Sequence, residues 1–169
     1  MAQKVSWEGL TLDAELINPF IRAIQNVLQK ETKSKVLRTS KPTLTSGGEF
    51  AHEITSVIGL VGEVSGVFLI SVSAEYAFSF FREVVGVEAT EIDEVVLSGI
   101  AELSNTIAGQ AAIALEEIGL TTDISPPLLI KGKGKGASLS TLELPRVSVP
   151  LKTDLGDLVM DVAVVRSVQ

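Results

Sequence analysis

The longest periodic segment of the chain, residues 91–117, constrains the fold more than any other feature. Apolar side chains recur there every three or four residues, which is the period of a helix with one buried face. Thr90 to Asp93 resembles a capping box, with Asp in the place of the usual Glu, and Gly119 is a typical stop. The predicted buried arc consists of Val96, Ile100, Leu103, Ile107, Ala111, Ala114 and Ile118. This arc predicts that the helix lies against the core of the domain.

The segments before and after this helix have β-strand patterns. Gly62-Glu63 and residues 154–157 each separate two apolar runs, and both arrangements predict hairpins. Pro42 indicates an edge strand or a strand end, and Pro126-Pro127 interrupts another strand. The predicted strands are residues 36–43, 54–61, 64–72, 124–131, 146–153 and 158–165.

Two shorter helices complete the predicted elements. Asn18-Pro19 is typical of an N-cap followed by the first helical position, which predicts a helix over residues 18–31. Ser73 is the expected cap of the next helix, and Gly86 its end. The order α-βββ-αα-βββ predicts an α+β fold, in which long helices pack on a largely antiparallel sheet.

Composition narrows the function classes. The 169 residues are enough for one domain, 1–169, in which residues 1–11 are expected to form a loosely held lead. A net charge of −7 disfavours nucleic-acid binding, and no apolar run reaches the roughly 20 residues of a membrane helix. The absence of Cys excludes thiolate chemistry, and the single His52 argues against a His-rich metal site. No signal peptide is visible, so a cytoplasmic protein is expected.

The face of the long helix opposite its apolar arc has an unusual composition. At about 100° per residue, this face presents one acid and one amide among small residues. They are Ser98, Glu102, Asn105 and Gly109, flanked by Gly99, Ala101, Ala108 and Ala112. Glycine in a helix costs about 1 kcal/mol relative to alanine. Two explanations remain open: a partner approaches this low surface, or a neighbouring element of the same chain packs on it.

These residues resemble a known signature. Ser98-x-x-x-Glu102-x-x-Asn105-x-x-x-Gly109, followed by Pro126-Pro127, is similar to the motif of the CheC/CheX/FliY chemotaxis phosphatases. Residues 17–21, 58–62, 90–94 and 119–120 resemble the CheX-like members in particular.

The resemblance implies a CheC-like fold and the dephosphorylation of a phosphorylated CheY-type receiver. Glu102 would pair with the receiver's lysine, and Asn105 would orient the attacking water. Ser98, Ala101, Gly109 and Ala112 would form the partner-docking surface. The resemblance also implies Mg²⁺ on the receiver, with no cofactor or metal site on this chain, and a homodimer joined through edge strands, for which residues 36–43 and 158–165 are the candidates.

Other interpretations stay open beside this one. The main alternative is a non-catalytic receiver-binding or adaptor module with the same fold, since a fold does not fix a function. A small-ligand sensor is a third possibility. The lysine-rich run at residues 131–136 is interpreted as a solvated hairpin tip whose lysines could attract an acidic receiver. Glu15-x-x-Asn18 repeats the acid-amide spacing, but it is interpreted as a chance match because Asn18 is the predicted N-cap.

Overall fold

The structure of the chain, a computed structural model, describes residues 4–7, 10–38, 40–46, 49–132, 134–138 and 145–167. Three helices lie within these ranges: α1 (Ala14–Thr32), α2 (Ala74–Val85) and α3 (Glu94–Glu116). None of the described helices is both long and apolar enough to cross a membrane.

The two later helices begin at polar N-caps, and a glycine ends α2. The Ser73 hydroxyl accepts from the amide of Tyr76 at the start of α2, and Gly86 ends that helix at φ 77°, as the sequence predicts. Helix α3 starts later than expected. The Asp93 carboxylate accepts from the amides of Val95 and Val96, so Asp93 is the N-cap itself rather than the third residue after it.

Helix α1 corrects a second predicted cap. It begins at Ala14, capped by Asp13, so Asn18 and Pro19 lie inside the helix and Asn18 is not the N-cap. Proline there removes a backbone hydrogen bond and costs about 3 kcal/mol. The additional helical residues Leu16 and Ile17 are 1% and 5% exposed, and burying such side chains contributes about 1.5–3 kcal/mol each. The burial of Leu16 and Ile17 offsets the proline penalty. A capping rule considers only residues that are close in sequence and does not include this burial.

Twelve strands lie within the described ranges, and every pairing between them is antiparallel. They are β1 (Lys4–Trp7), β2 (Leu10–Asp13), β3 (Leu37–Arg38), β4 (Thr43–Thr45), β5 (Glu49–Phe50), β6 (Ile54–Gly62), β7 (Val64–Val72), β8 (Thr122–Ile124), β9 (Leu128–Lys131), β10 (Gly134–Ser138), β11 (Arg146–Thr153) and β12 (Gly156–Arg166). The α+β prediction and both predicted hairpins, β6–β7 and β11–β12, are confirmed.

One eight-stranded sheet forms the centre of the fold, in the order β3-β11-β12-β7-β6-β8, with β4 also on β11 and β9 also on β6. All three helices share a hydrophobic core with the side chains of one face of this sheet. Phe50, Leu69 and neighbouring residues form a smaller apolar cluster on the opposite face.

The topology corrects three strand predictions. Strand β12 pairs with β11 on one side and β7 on the other, so residues 158–165 are central and are not a dimerisation edge. Residues 36–43 contain β3 and the first residue of β4, rather than one strand. Residues 134–136 lie in β10, which pairs with β5, and therefore do not form a hairpin tip.

The expected N-terminal lead is described in part. Residues 1–3 and 8–9 lie outside the described residues, whereas β1 and β2 form a hairpin that the sequence did not predict.

A buried polar contact joins α3 to the middle of the sheet. Ser56 of β6 and Ser104 of α3 are each 1% exposed, and their hydroxyls hydrogen-bond to each other within an otherwise apolar interface. Ser104 also donates to the carbonyl of Ala101 at 3.1 Å. Ser104 lies between Glu102 and Asn105 in sequence but on the opposite face of α3. The contact therefore helps to fix which face of the helix points away from the sheet.

Replacing both partners of this contact should destabilise the fold by less than the sum of the two single replacements. Ser56→Ala leaves a hydroxyl buried without its cross-element partner, which costs about 1–3 kcal/mol, whereas the double variant with Ser104→Ala removes both polar groups and loses less than the sum. Urea denaturation of the two single variants and the double variant measures this coupling. Additive losses would show that the two hydroxyls stabilise the fold independently.

Candidate active site on helix α3

The exposed face of α3 carries the acid and the amide that the sequence singles out. Ser98 and Glu102 are exposed, and the remaining four predicted site residues, Ala101, Asn105, Gly109 and Ala112, are partly exposed. Glu102 and Asn105 are one turn apart, so their side chains are neighbours. The structure thus places all six predicted residues on the side of α3 that points away from the sheet.

The opposite face of α3 packs as expected except at its C-terminal end. Val96, Ile100, Leu103, Ile107 and Ala111 are buried in the core. Ile118, however, lies beyond the end of the helix and is 43% exposed, and fully buried Leu115 contributes to the core there. The helical spacing of apolar residues continues past the last residue of α3, and the prediction therefore included Ile118 in the buried arc. Ala108 is also buried, so it does not belong to the exposed face.

Pro126 and Pro127 form a wall beside the acid and the amide. A shallow, open depression is lined on one side by α3 and on the other by the segment between β8 and β9; its lining residues are Ser98, Ala101, Glu102, Asn105, Ile124, Ser125, Pro126 and Pro127. The two prolines of the sequence motif, some twenty residues from the acid and the amide, are therefore next to them in space.

Ser125 fixes the position of this wall, although the sequence analysis did not identify it. Its hydroxyl accepts from the amide of Gly59 at 2.8 Å and donates to the carbonyl of Pro126 at 3.1 Å. Its own amide donates to the Gly59 carbonyl at 2.9 Å. A Cβ at Gly59 would lie 3.4 Å from the Ser125 hydroxyl oxygen, so a glycine leaves room for this contact. The only feature of the sequence that points to Ser125 is its position directly before the two prolines.

Glu102 and Asn105 are chemically available. Neither side chain makes a hydrogen bond or ion pair with another residue in the described part of the chain. A free carboxamide can donate to and accept from a water molecule, and a free carboxylate can bind an ammonium group. The depression is open rather than enclosed, which suits a protein surface better than a small molecule.

The glycines of α3 distinguish the two explanations of its small-residue face. A Cβ at Gly109 would meet no atom within 4 Å, so nothing in the described fold requires a glycine there. At Gly99, in contrast, a Cβ would lie 3.4 Å from Cδ2 of Phe81, so this glycine packs under α2. Gly99 therefore has α2 as a neighbour, whereas the described fold leaves the space around Gly109 open.

The second acid-amide pair, on α1, has a different environment. Glu15 and Asn18 are both exposed on the helix, so the capping argument against them is wrong. The Glu15 carboxylate, however, is bound by the guanidinium of Arg166 at 2.7 Å. Arg22 stands four residues after Asn18, in the position that Gly109 has relative to Asn105. The α1 pair thus lacks both the free carboxylate and the low surface of the α3 pair.

The remaining sequence candidates have structural roles or lie outside the described residues. The backbone amide of His52 donates to the Ser71 hydroxyl at 2.9 Å. The Lys131 ammonium donates to the carbonyl of Ile92 at 3.0 Å, and Lys133 lies outside the described residues. Within the described part of the chain, no three His, Cys, Asp or Glu side chains cluster in a way that could hold a metal ion.

The fold and the motif agree with one family. Residues 54–152 match the family model described as chemotaxis phosphatase CheX. This span contains the β6–β7 hairpin, all of α3 and the two prolines. The chain belongs to the CheX family. A relative from Thermotoga maritima, called CheY-P phosphatase CheX, is 35% identical over an alignment of 127 residues that covers 72% of this chain and 79% of the relative.

Solved structures of family members share the fold. A CheC-like superfamily protein from Shewanella sp. PV-4 has a TM-score of 0.78 at 22% identity, covering 89% of this chain and 97% of that one. The chain is also similar to one chain of the Borrelia burgdorferi CheX-CheY-BeF3-Mg²⁺ complex, with a TM-score of 0.70 and 26% identity, covering 90% of this chain and 98% of that one. The predicted CheC-like fold is thereby confirmed.

Replacing Gly109 with alanine should stabilise the protein. Because the new methyl group meets no other atom, Gly109→Ala gains helix propensity and raises the free energy of unfolding by up to about 1 kcal/mol. Chemical denaturation measures the change. Gly99→Ala is the matched control, because its methyl group would lie 3.4 Å from Cδ2 of Phe81, so its gain depends on that contact as well as on helix propensity. A loss of stability at Gly109 would mean that the fold itself needs this glycine.

Proposed function

We propose that the chain accelerates hydrolysis of the aspartyl phosphate of a CheY-type receiver by inserting Glu102 and Asn105 into the receiver's active site. The observation that carries this proposal is the free acid-amide pair on the low, open face of α3, beside the wall of Pro126 and Pro127. Membership of the CheX family is the basis for proposing phosphatase activity. The Thermotoga maritima relative, which is called CheY-P phosphatase CheX, is the basis for the proposed substrate.

In this mechanism the Asn105 carboxamide holds a water molecule in line with the bond from phosphorus to the aspartyl oxygen. The water oxygen bonds to phosphorus as that bond breaks, which leaves the receiver's carboxylate and inorganic phosphate. Phosphoryl transfer of this kind depends more on positioning and charge neutralisation than on a strong base. An amide on a rigid helix can supply that positioning.

The Glu102 carboxylate has a separate role in this proposal. It binds the ammonium group of the receiver's active-site lysine and so fixes the register of the two proteins. Ser98, Ala101, Gly109 and Ala112 let the receiver's backbone approach α3 closely. The proposal assigns Mg²⁺ to the receiver, in keeping with the composition of the Borrelia burgdorferi CheX-CheY-BeF3-Mg²⁺ complex. We also propose that the reaction takes place in the cytoplasm.

The catalytic proposal predicts separate effects for the two residues. Asn105→Ala should lower kcat for phosphate release by about 10²-fold, because the water is no longer oriented. Glu102→Gln should mainly raise KM, because an ion pair with the lysine is lost. Release of inorganic phosphate from a phosphorylated receiver, measured over a range of receiver concentrations, separates kcat from KM.

Matched controls come from helices α3 and α2. Gln110→Ala removes an exposed amide of α3 and Glu83→Gln an exposed acid of α2, and neither residue lines the depression or the groove at the hairpin tip. Both controls should keep the wild-type rate. Receiver binding by the wild type without faster phosphate release would contradict the catalytic proposal and favour the non-catalytic receiver-binding or adaptor module.

We also propose a homodimer, with its sheet edge as the point of contact. Among the described pairings, β3 and β4 form one edge and β8 and β9 the other. The β3–β4 edge is flanked by the exposed side chains of Lys35, Lys41 and Lys152. Lysines at an edge strand oppose edge-to-edge pairing through like-charge repulsion, which salt screens.

A dimer through the β3–β4 edge should therefore strengthen as ionic strength rises. Light scattering at micromolar concentration, at low and at high salt, gives the mass. A mass that is dimeric but independent of salt points to the β8–β9 edge instead. A monomeric mass under both conditions contradicts the homodimer.

A further inference from the structure

The six residues on the α3 face are too few for a protein–protein interface. Even a stable interface of ordinary size buries about 800 Å² per partner and uses about 20–30 residues. The docking surface must therefore extend beyond the depression at Glu102 and Asn105. Three neighbouring surfaces are available: the N-terminal end of α3, the groove between α1 and α3, and the groove between α3 and the tip of the β6–β7 hairpin.

The groove at the hairpin tip continues the α3 face directly. Ala112 lies within about 20° of Asn105 around the helix axis, and it also lines this second groove. Val61 of β6 and Ile113 of α3 line the same groove, and their side chains are 69% and 52% exposed. The α3 face thus runs without interruption from the acid and the amide to an exposed apolar pair.

The hairpin tip holds Val61 in a defined position. The Glu63 carboxylate accepts from the Thr121 amide at 2.9 Å and from its hydroxyl at 2.8 Å. Gly62 has φ 145°, and a Cβ there would lie 2.8 Å from the Thr121 carbonyl oxygen. The tip is therefore tied closely to the segment after α3, and ordering it on binding would cost little conformational entropy.

The groove at the hairpin tip is better suited to the core of an interface than the groove between α1 and α3. The groove between α1 and α3 is lined by four charged side chains of both signs, whereas the groove at the hairpin tip is lined by two, the acids Glu116 and Asp123. Interface cores are depleted in charged residues and enriched in apolar contact. We infer that Val61 and Ile113 form an apolar second contact for the CheY-type receiver, beside the Glu102 and Asn105 contact. This inference rests on the proposed function.

Measurements of Kd, KM and kcat on variants of Val61 and Ile113 distinguish receiver docking from catalysis. Val61→Ser replaces two methyl groups, each contributing about 0.8 kcal/mol when buried, with one hydroxyl, so the Kd for a CheY-type receiver loaded with BeF3 and Mg²⁺ should rise about tenfold. The receiver used is one whose phosphate release the wild type accelerates. KM should rise by a similar factor, whereas kcat should stay within about twofold. Ile113→Ser should act in the same direction.

Val87→Ser is the matched control, because Val87 is 52% exposed in the connection between α2 and α3 and lines none of the grooves named above. It should leave Kd, KM and kcat unchanged. Val61→Thr preserves the β-branched side chain and keeps the test valid if Val61→Ser fails to fold. Unchanged Kd and KM in a folded Val61 variant would overturn the inference.

The remaining outcomes are equally informative. A Val61 variant that changes the oligomeric mass but not receiver binding would show that the groove holds a second copy of the chain, and the inference would be wrong. If Asn105→Ala leaves kcat unchanged while Val61→Ser weakens binding, the catalytic proposal fails and the docking surface stands. If no CheY-type receiver binds the wild type, both are overturned.

Discussion

The packing of α3 on the sheet is the interaction on which the rest of the site depends. Its apolar face, from Val96 to Leu115, is buried in the core that it shares with α1 and β6, and Ser104 bonds to Ser56 within that interface. A helix seated in this way has only one face left for a partner. The positions of Glu102 and Asn105 are therefore a consequence of core packing, because rotating them away would expose the apolar face to water.

The second half of the site comes from the sheet edge. Gly59 of β6 holds Ser125, and Ser125 holds the two prolines next to α3. The same strand continues to Val61 and the hairpin tip, which Glu63 ties to Thr121. One strand thus positions the wall of the depression and the apolar contact beyond it, and both are fixed relative to α3 through the Ser56–Ser104 contact.

The net negative charge of the chain limits how it can attract a receiver that is also acidic. The chain carries a net charge of −7, so long-range attraction to an acidic receiver is unfavourable. Short-range contacts that do not depend on net charge, such as close backbone approach at Gly109 and apolar burial at Val61, are better suited to such a pair of proteins.

The sequence by itself determined the α+β class, the two hairpins and the acid-amide pair on one helix face, because each depends on local periodicity or on the spacing of a few residues. It placed Asn18 at a cap, Ile118 in the core and residues 158–165 at an edge, and these predictions were wrong. Only the tertiary structure decided them, because burial of Leu16 and Ile17, the end of α3 and the pairing of β12 between two strands are long-range outcomes. The role of Ser125 and the free space around Gly109 likewise depend on which distant residues meet, and no local pattern in the sequence records that.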